Sequence, residues 1–361
     1  MEPDKNHRQP PVLSVIMPAY NATAFIREAA DCVLAQTFKD LELIIADDCS
    51  TDSTLSVAYE IAATDSRVNV IAMERNGGPG IARNRALLAA RGEFVTFIDA
   101  DDRIPKGAYS RLVDFARVNK LDIVRGAMAD FTDKHPEPWK VPPFSETEQI
   151  FDNEADLRQM ALCTFAYPVR KADKNLNFGG SACSAVFRHE IISRNKLRFD
   201  ERPHCISEDY LFCYQFLTKA RSAGIVPDIV YFYRTNPSSR SHRPAADMIA
   251  RALQTAESME TMILADGFPQ QACEYAYRYA IDIVRAFMKN FFLSDMPENE
   301  LRLWFSRQQN YPILERCDKY FPTGMLPLTH RLSYHAFRTA SFRLMLSLIR
   351  GRELIRRATG R

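Results

Sequence analysis

The stretch FVTFIDADDR, residues 94–103, opens on β-branched and aromatic residues (Phe94, Val95, Thr96, Phe97, Ile98) and ends in three carboxylates, Asp99, Asp101 and Asp102. Its first half predicts a buried strand. Its second half resists burial, because like charges this close repel and an unpaired buried carboxylate is costly. A helix N-cap or a turn would need only one Asp. Three acids at the end of a buried strand therefore predict that something positive binds there. Asp99 and Asp101 form a D-x-D. In a tight turn, residues two apart can project carboxylates to a common point, the oxygen donor set that a hard divalent cation carrying phosphates requires.

Outward from this stretch, LSVIMPAY (13–20), LELIIADD (41–48) and VNVIAME (68–74) read as further strands. Helical spacing separates them. AFIREAADCVLAQT (24–37) has apolar Phe25, Ala29, Cys32 and Val33, STDSTLSVAYEIAATD (50–65) starts on capping residues, and GIARNRALLAARG (80–92) closes on Gly92. Alternating strands and helices, with strands apolar almost throughout, predict an α/β, Rossmann-like sheet, mostly parallel and covered by helices on both faces. Ligands of such sheets bind beyond the carboxyl ends of the strands. The polar residues gather there: Tyr20 and Asn21, Asp47 and Asp48, Arg75 and Asn76, then Asp99 to Asp102. Four strand ends are expected to line one polar crevice.

AYSRLVDFARVNKLDIVRGAMADF (108–131) adds a helix and a strand. Residues 133–180, rich in proline and charge at first, read as an irregular insertion over the crevice. CSAVFRHEIISRN (183–195) reads as a strand entering a helix, and ISEDYLFCYQFLTKA (206–220) as a loop entering a helix. GIVPDIVYFYRTNPSSRSHR (224–243) gives a strand and then a Ser-, Arg- and Pro-rich loop. From about residue 245 the pattern is wholly helical. Three regions follow: a tail at 1–11, a sheet domain at 12–244 and a C-terminal helical region at 245–361.

Composition narrows the function. The net charge of +2 over 361 residues argues against a nucleic-acid partner. The eight Cys include no C-x-x-C pair, which disfavours a zinc knuckle or redox pair and fits a reducing, cytoplasmic setting. MEPDKNHRQPP lacks the apolar core of a signal peptide, and no run of about 18 apolar residues predicts a spanning helix. GGPGIAR (77–83) mimics a dinucleotide fingerprint but follows the third strand, whereas the first is followed by PAYNAT, without glycine. No G-x-x-x-x-G-K-[ST] occurs.

SVIMPAYNA, LELIIADDCSTDST, NGGPGIARNRAL and GEFVTFIDADD, in this order, resemble the motifs of the family 2 glycosyltransferases with the GT-A fold. FDERPHCISEDYLF resembles the same family's acidic "ED" motif, and the likeness covers about residues 12–240. One departure is Cys49, where the family often has Gly; little effect is expected. The resemblance implies an inverting enzyme that moves a sugar from a nucleotide donor, UDP-linked, to a glycan or polyprenyl-linked acceptor during polysaccharide assembly. It implies Mn2+ or Mg2+ held by Asp101 with Asp99. Pro18, Ala19 and Tyr20 would flank the nucleotide, Asp48 would accept from the uracil N–H, and Arg83 would reach the base or diphosphate. Asp209 would be the base that deprotonates the acceptor, with Glu208 supporting it. Inversion needs one such base, whereas retention through a covalent intermediate normally needs a second, close carboxylate. In the loop after residue 233, Arg234, Ser239, Arg240 and His242 are candidates to close over the diphosphate, and His242 is a candidate metal ligand.

From His330 onward the sequence has eight Arg and one acid, Glu353, among Leu332, Phe337, Phe342, Leu344, Met345 and Leu348. Two readings stand: a helix packed on the protein with an arginine-rich outer face, or a basic amphipathic helix on an anionic inner-membrane leaflet. The rival functions are a nucleotidyltransferase, which would want a glycine-rich basic first loop, and a non-catalytic sugar-nucleotide or glycan-binding scaffold.

Overall fold

The structure is a computed structural model that describes residues 9–139, 145–166, 176–203, 205–235, 247–308 and 310–359. The chain divides into two compact units, one of Met1–Thr164, Ala172–Glu201 and Glu208–Thr235, the other of Phe165–Lys171, Arg202–Ser207 and Asn236–Arg361.

In the first unit, strands β1 (Leu13–Ala19), β2 (Leu41–Asp47), β3 (Val68–Ala72) and β4 (Phe94–Phe97) alternate with helices α1 (Ile26–Leu34), α2 (Thr54–Thr64) and α3 (Pro79–Leu87). Helix α4 (Ala108–Val118) leads to β5 (Ile123–Thr132). Then come β6 (His135–Trp139), β7 (Gln149–Phe151), α5 (Glu154–Cys163), β8 (Ala185–Arg188), α6 (His189–Asn195), α7 (Glu208–Leu217) and β9 (Ala223–Arg234). The strands join one sheet in the order β3-β2-β1-β4-β8-β5-β9-β7, with β6 paired to β5. β1 runs parallel to both β2 and β4, and β2 parallel to β3. β1, β2 and β4 are buried throughout, as their apolar runs require. β8 enters antiparallel between β4 and β5, and β6 and β7 pair antiparallel with β5 and β9, while β1 to β5 and β9 share one direction.

Strand order grows outward from β1 to β3 and then resumes on the other side with β4. This reversal is the topological switch point at which ligands of open α/β sheets bind. Pro18 accentuates it. Pairing of β1 with β4 runs from Leu13↔Phe94 to Ile16↔Phe97, whereas pairing of β1 with β2 continues to Ala19↔Asp47. Proline has no N–H for a ladder and is tolerated where pairing has ceased. Pro18 lies just past the last β1–β4 pair, and the two strands part there.

An aromatic cluster fixes α7 to the sheet. Phe199 and Phe212 stack with centroids 4.3 Å apart, and Phe97 meets both edge-on at 5.0 and 5.6 Å. Phe187 touches Phe97, Phe212 and Phe216. Each such pair contributes about 0.5–1.5 kcal/mol beyond the apolar area it buries. Phe97 precedes Asp99 by two residues and Phe212 follows Asp209 by three, so this packing positions both acidic segments.

Residues 133–180 are not the irregular insertion expected. They contain β6, β7 and α5. Asn153 caps α5 by accepting from the Asp156 N–H at 2.9 Å, and Leu157, Met160 and Ala161 bury its inner face. The prolines misled: Pro136 and Pro138 lie in β6, which among the described residues pairs only with β5, the edge position where proline is tolerated.

The second unit contains helices α8 (Met248–Ala265), α9 (Glu274–Phe292), α10 (Glu298–Ser306), α11 (Pro312–Tyr320), α12 (Leu328–Arg338) and α13 (Phe342–Thr359). Its interior is aromatic: Phe292, Phe305 and Phe342 touch one another, and Phe337 meets Phe305 edge-on. Tyr277 donates to Glu260 at 2.6 Å, and Arg316 pairs with the same carboxylate. No helix among the described residues is long and apolar enough to cross a membrane.

Candidate active site

The three carboxylates after β4 separate into different roles. Asp102 is almost wholly buried. It accepts from Tyr231 Oη at 2.6 Å and from the Arg234 backbone N–H at 2.7 Å. Tyr231 also accepts from the Asp99 N–H at 3.1 Å, and Arg103 and Phe232 exchange backbone bonds of 3.1 and 2.9 Å. The end of β9 thus clasps the turn, and Asp102 is its structural anchor. Burial, then the charges of Asp99 and Asp101, raises Asp102 well above the ordinary carboxylate value. Asp101 is raised by burial and by Asp99.

Arg83 connects this turn to the ED pair. Its guanidinium is buried and donates to Asp99 Oδ1 at 2.7 Å and to Glu208 Oε1 at 2.8 Å. Burial opposes its charge, but Asp99 and Glu208 outweigh that and raise its pKa further. A solvent-facing Arg on a helix surface is therefore excluded here. The next residue, Asn84, adds a second set of bonds: its Nδ2 donates to Phe199 O and Glu201 Oε1, both at 2.9 Å, and its Oδ1 accepts from the Phe199 N–H.

Asp209 follows Glu208 in the first turn of α7. Burial, then the neighbouring Glu208 charge, pushes its carboxyl up to about 7, with Arg83 pulling the other way. A carboxylate near 4 is a weak base, whereas one near the working pH is well matched to general-base catalysis. Cys183, missed in the sequence, is buried beside Arg83 and Asp99, and burial holds its thiol protonated. Arg125 on β5, also missed, is buried near Asp209 and donates to Gly179 O and Ser181 O at 3.1 and 2.9 Å. Neither falls in a recognisable motif, so only the fold brings them here.

On the other side of the switch point, Asp48 accepts from the Gly77 and Gly78 N–H groups, both at 2.7 Å. Gly78 needs its φ of 89°, a value that favours glycine. Both Asp48 oxygens thus already hold backbone donors. Its neighbour Asp47 accepts from the Ser50 N–H at 3.0 Å through Oδ2, while its Oδ1 is buried with no hydrogen-bond partner. Pro18 and Ala19 are buried in β1, and Tyr20 is exposed at the strand end. Cys49 adopts a φ of 59°. The Gly-to-Cys departure is therefore not neutral for the backbone, since a left-handed non-glycine residue costs about 1 kcal/mol.

Two carboxylates, Asp99 and Asp101, remain to hold a cation. They are hard oxygen donors, and the burial and mutual repulsion that raise Asp101 are what a divalent cation would relieve. Among the described residues no group of three or more His, Cys, Asp or Glu could hold a metal, so phosphate or water oxygens would have to complete its shell. Arg234 is not a free loop cation. It ends β9, buried, donating to Asp101 O at 2.6 Å and Glu28 Oε2 at 2.5 Å and pairing with Asp133. Ser239, Arg240 and His242 lie outside the described residues.

The profile described as "Glycosyl transferase family 2" matches residues 14–193. The chain belongs to this family. Among its relatives, an uncharacterised glycosyltransferase, EpsJ of Bacillus subtilis, is 31% identical over 241 residues, covering 66% of each chain. The succinoglycan biosynthesis protein ExoO of Rhizobium meliloti is 29% identical, over 72% of this chain and 71% of its own. The family fold extends further than those matches. S. aureus TarS in complex with UDP-GlcNAc superposes with a TM-score of 0.63 at 20% identity, over 95% of this chain and 91% of that one. A mannosyltransferase from Pyrobaculum calidifontis, in complex with GDP-Man and Mn2+, superposes at 0.52 with 18% identity, over 94% of this chain and 88% of its own. The GT-A sheet with C-terminal helices is thus the fold of this glycosyltransferase.

Proposed function

We propose that this chain is an inverting, metal-dependent hexosyltransferase that moves a sugar from a UDP-linked donor to a glycan or lipid-linked oligosaccharide in polysaccharide biosynthesis. The observation that carries the reading is the Arg83 cluster: Asp99 and Glu208 share one guanidinium, and next to Glu208 burial pushes the Asp209 carboxyl up to about 7. The names of the relatives support polysaccharide assembly, and the TarS complex supports a UDP-linked donor.

In this reading the nucleotide lies across the end of β1, flanked by Pro18, Ala19 and Tyr20. Asp48, whose carboxylate oxygens order the 77–78 turn and keep further lone pairs, accepts from the nucleobase N–H. Asp99 and Asp101 would hold Mn2+ or Mg2+, which supplies Lewis-acid neutralisation of the departing diphosphate. Asp209 takes the proton of the acceptor hydroxyl as that oxygen attacks the anomeric carbon from the face opposite the leaving group, and Glu208 keeps its carboxylate turned to Arg83. Residues 12–244 form the transferase domain. The helical region from 245 contributes a basic surface for anionic lipid: Leu328, Arg331, Leu332 and His335 make one exposed stripe on α12, and no acid occurs between Lys319 and Arg352.

A thermal-shift panel of UDP-, GDP- and dTDP-sugars with and without manganese tests the donor, because a ligand bound only by the native state raises its melting temperature. A manganese-dependent rise with UDP-sugars alone is expected, followed by acceptor-dependent release of UDP. A shift with GDP-sugars alone, or binding without turnover on any glycan acceptor, refutes the reading.

A further inference from the structure

From the bonds of α3 we infer that Arg83 is a positioning residue that registers the acceptor base Asp209 against the donor carboxylate Asp99, and is not itself a ligand of the donor. This rests on the proposed transfer reaction and names what couples its two halves.

Both terminal nitrogens of the guanidinium are committed, and its Nε is buried, without a hydrogen-bond partner, away from solvent. Its Nη1 and Nη2 go to Glu208 and Asp99, and its side chain is 6% exposed. Among the described residues, Arg83 alone hydrogen-bonds to both Asp99 and Glu208. The backbone leaves no slack at this contact: a Cβ on Gly80 would lie 3.0 Å from Asp200 O and 3.3 Å from Glu208 Cγ, so α3 is packed directly against the segment that carries the ED pair. Asn84, with three bonds to Phe199 and Glu201, prevents that segment from sliding along α3. At its N-terminal end, α3 is reached through Gly77 and Gly78, whose amides Asp48 holds. One short helix therefore spans from the nucleotide-side turn to the base.

Arg suits this role better than Lys. A planar fork can donate to two carboxylates on different elements at once, whereas an ammonium is a compact point charge. The charges around Asp209 are Glu208 on its own helix, Arg83 from α3, Asp99 from the β4 turn and Arg125 from β5, with Tyr210, Cys213 and Cys183 nearby. Removing Arg83 takes away a cation that favours the Asp209 carboxylate, and removing the Glu208 charge takes away an anion that opposes it.

The experiment compares Arg83→Gln, Arg83→Lys and Glu208→Gln with the unsubstituted enzyme. Calorimetric titration with UDP and manganese reads donor affinity, and steady-state transfer across pH 5.5–9 reads kcat and the acid limb of kcat/KM. Expected for R83Q is UDP affinity within about 3-fold, kcat lowered about 30-fold or more, and an acid limb moved up by about one pH unit. R83K keeps the limb near its original pH but loses at least about 10-fold in kcat. E208Q moves the limb the opposite way, down. UDP affinity falling more than about 10-fold in R83Q with kcat retained makes Arg83 a donor ligand and overturns the inference. So does an unmoved limb in both Gln variants. Should R83Q fail to fold, R83K decides: UDP affinity kept with kcat lowered about 10-fold or more supports the inference, and UDP affinity lowered more than about 10-fold with kcat retained overturns it. Absence of any turnover in the unsubstituted enzyme refutes the proposed reaction; turnover with the wrong pattern refutes only the role of Arg83.

Discussion

Replacing Asp209 by Asn should stabilise the protein and silence it. Folded, Asp209 keeps its proton up to about 7; unfolded, it releases it at the ordinary value of 3.8. For a group whose folded pKa is raised, the stabilising contribution of the protonated form is complete below the unfolded value and disappears as pH rises through the folded one. Across that window the wild type loses about 1.4 kcal/mol per pH unit at this site, and above pH 7 the deficit levels off at about 4 kcal/mol, an upper bound on the order of three pK units. Asn has no proton to lose. It keeps an oxygen that can accept from the Tyr210 N–H, as Asp209 Oδ1 does at 3.0 Å. The D209N variant should therefore melt close to wild type at pH 4.5 and progressively higher as pH rises to 7.5, by several degrees. Turnover should drop about 100-fold or more, the scale for a lost general base, while nucleotide affinity stays within a few-fold. Differential scanning calorimetry at half-unit pH steps, with transfer assays on the same samples, measures both. Parallel melting curves for the two proteins from pH 4.5 to 7.5 would refute the reasoning, because Asp209 would then not be a desolvated acid.

Asp101→Ala should lower UDP affinity in manganese by about 10-fold or more without lowering the melting temperature, since only the Asp101 backbone oxygen holds Arg234; calorimetry with and without metal checks this. Tyr231→Phe removes the donor to the buried Asp102 and should cost about 1–3 kcal/mol in urea denaturation. An unchanged midpoint would deny the clasp. Arg331→Glu with Arg343→Glu changes exposed residues of α12 and α13, so folding should be kept. Each Arg at an anionic leaflet is worth about 1 kcal/mol, and the pair of reversals should abolish flotation with anionic vesicles at low salt. Equal flotation of variant and wild type, or none by either, discards the lipid reading.

The parallel half of the fold was legible because each strand is apolar end to end and each ends in polar residues, a pattern that states both burial and direction. The antiparallel β8 was legible only as a strand; its direction depends on non-local pairing with β4 and β5. The segment 133–180 failed because its prolines signal loops locally, while an edge strand tolerates them. In the site, the D-x-D and the ED pair could be named from the sequence, but their roles could not be separated. Asp99, Asp101 and Asp102 look alike in a string; what distinguishes Asp102 is a tyrosine more than a hundred residues away. Arg83 was visible and its orientation was not, since the acids that turn it inward come from two other elements. The raised pKa of Asp209 comes first from desolvation, which no local pattern records.

The clasp on the Asp99–Asp102 turn bears on how the protein is made. The residues that close it, Tyr231 and Arg234, follow Asp102 by 129 and 132 positions. At a ribosomal rate of roughly 5–20 residues per second, that separation is an interval of about 6 to 26 s. During it the nascent chain already carries the first four motifs, yet Asp102 has neither of its donors. A chain released early, anywhere short of Tyr231, would have the signature of the enzyme without the means to hold its acidic turn closed. Completion of the last long strand is thus the step at which a translation product closes its acidic turn.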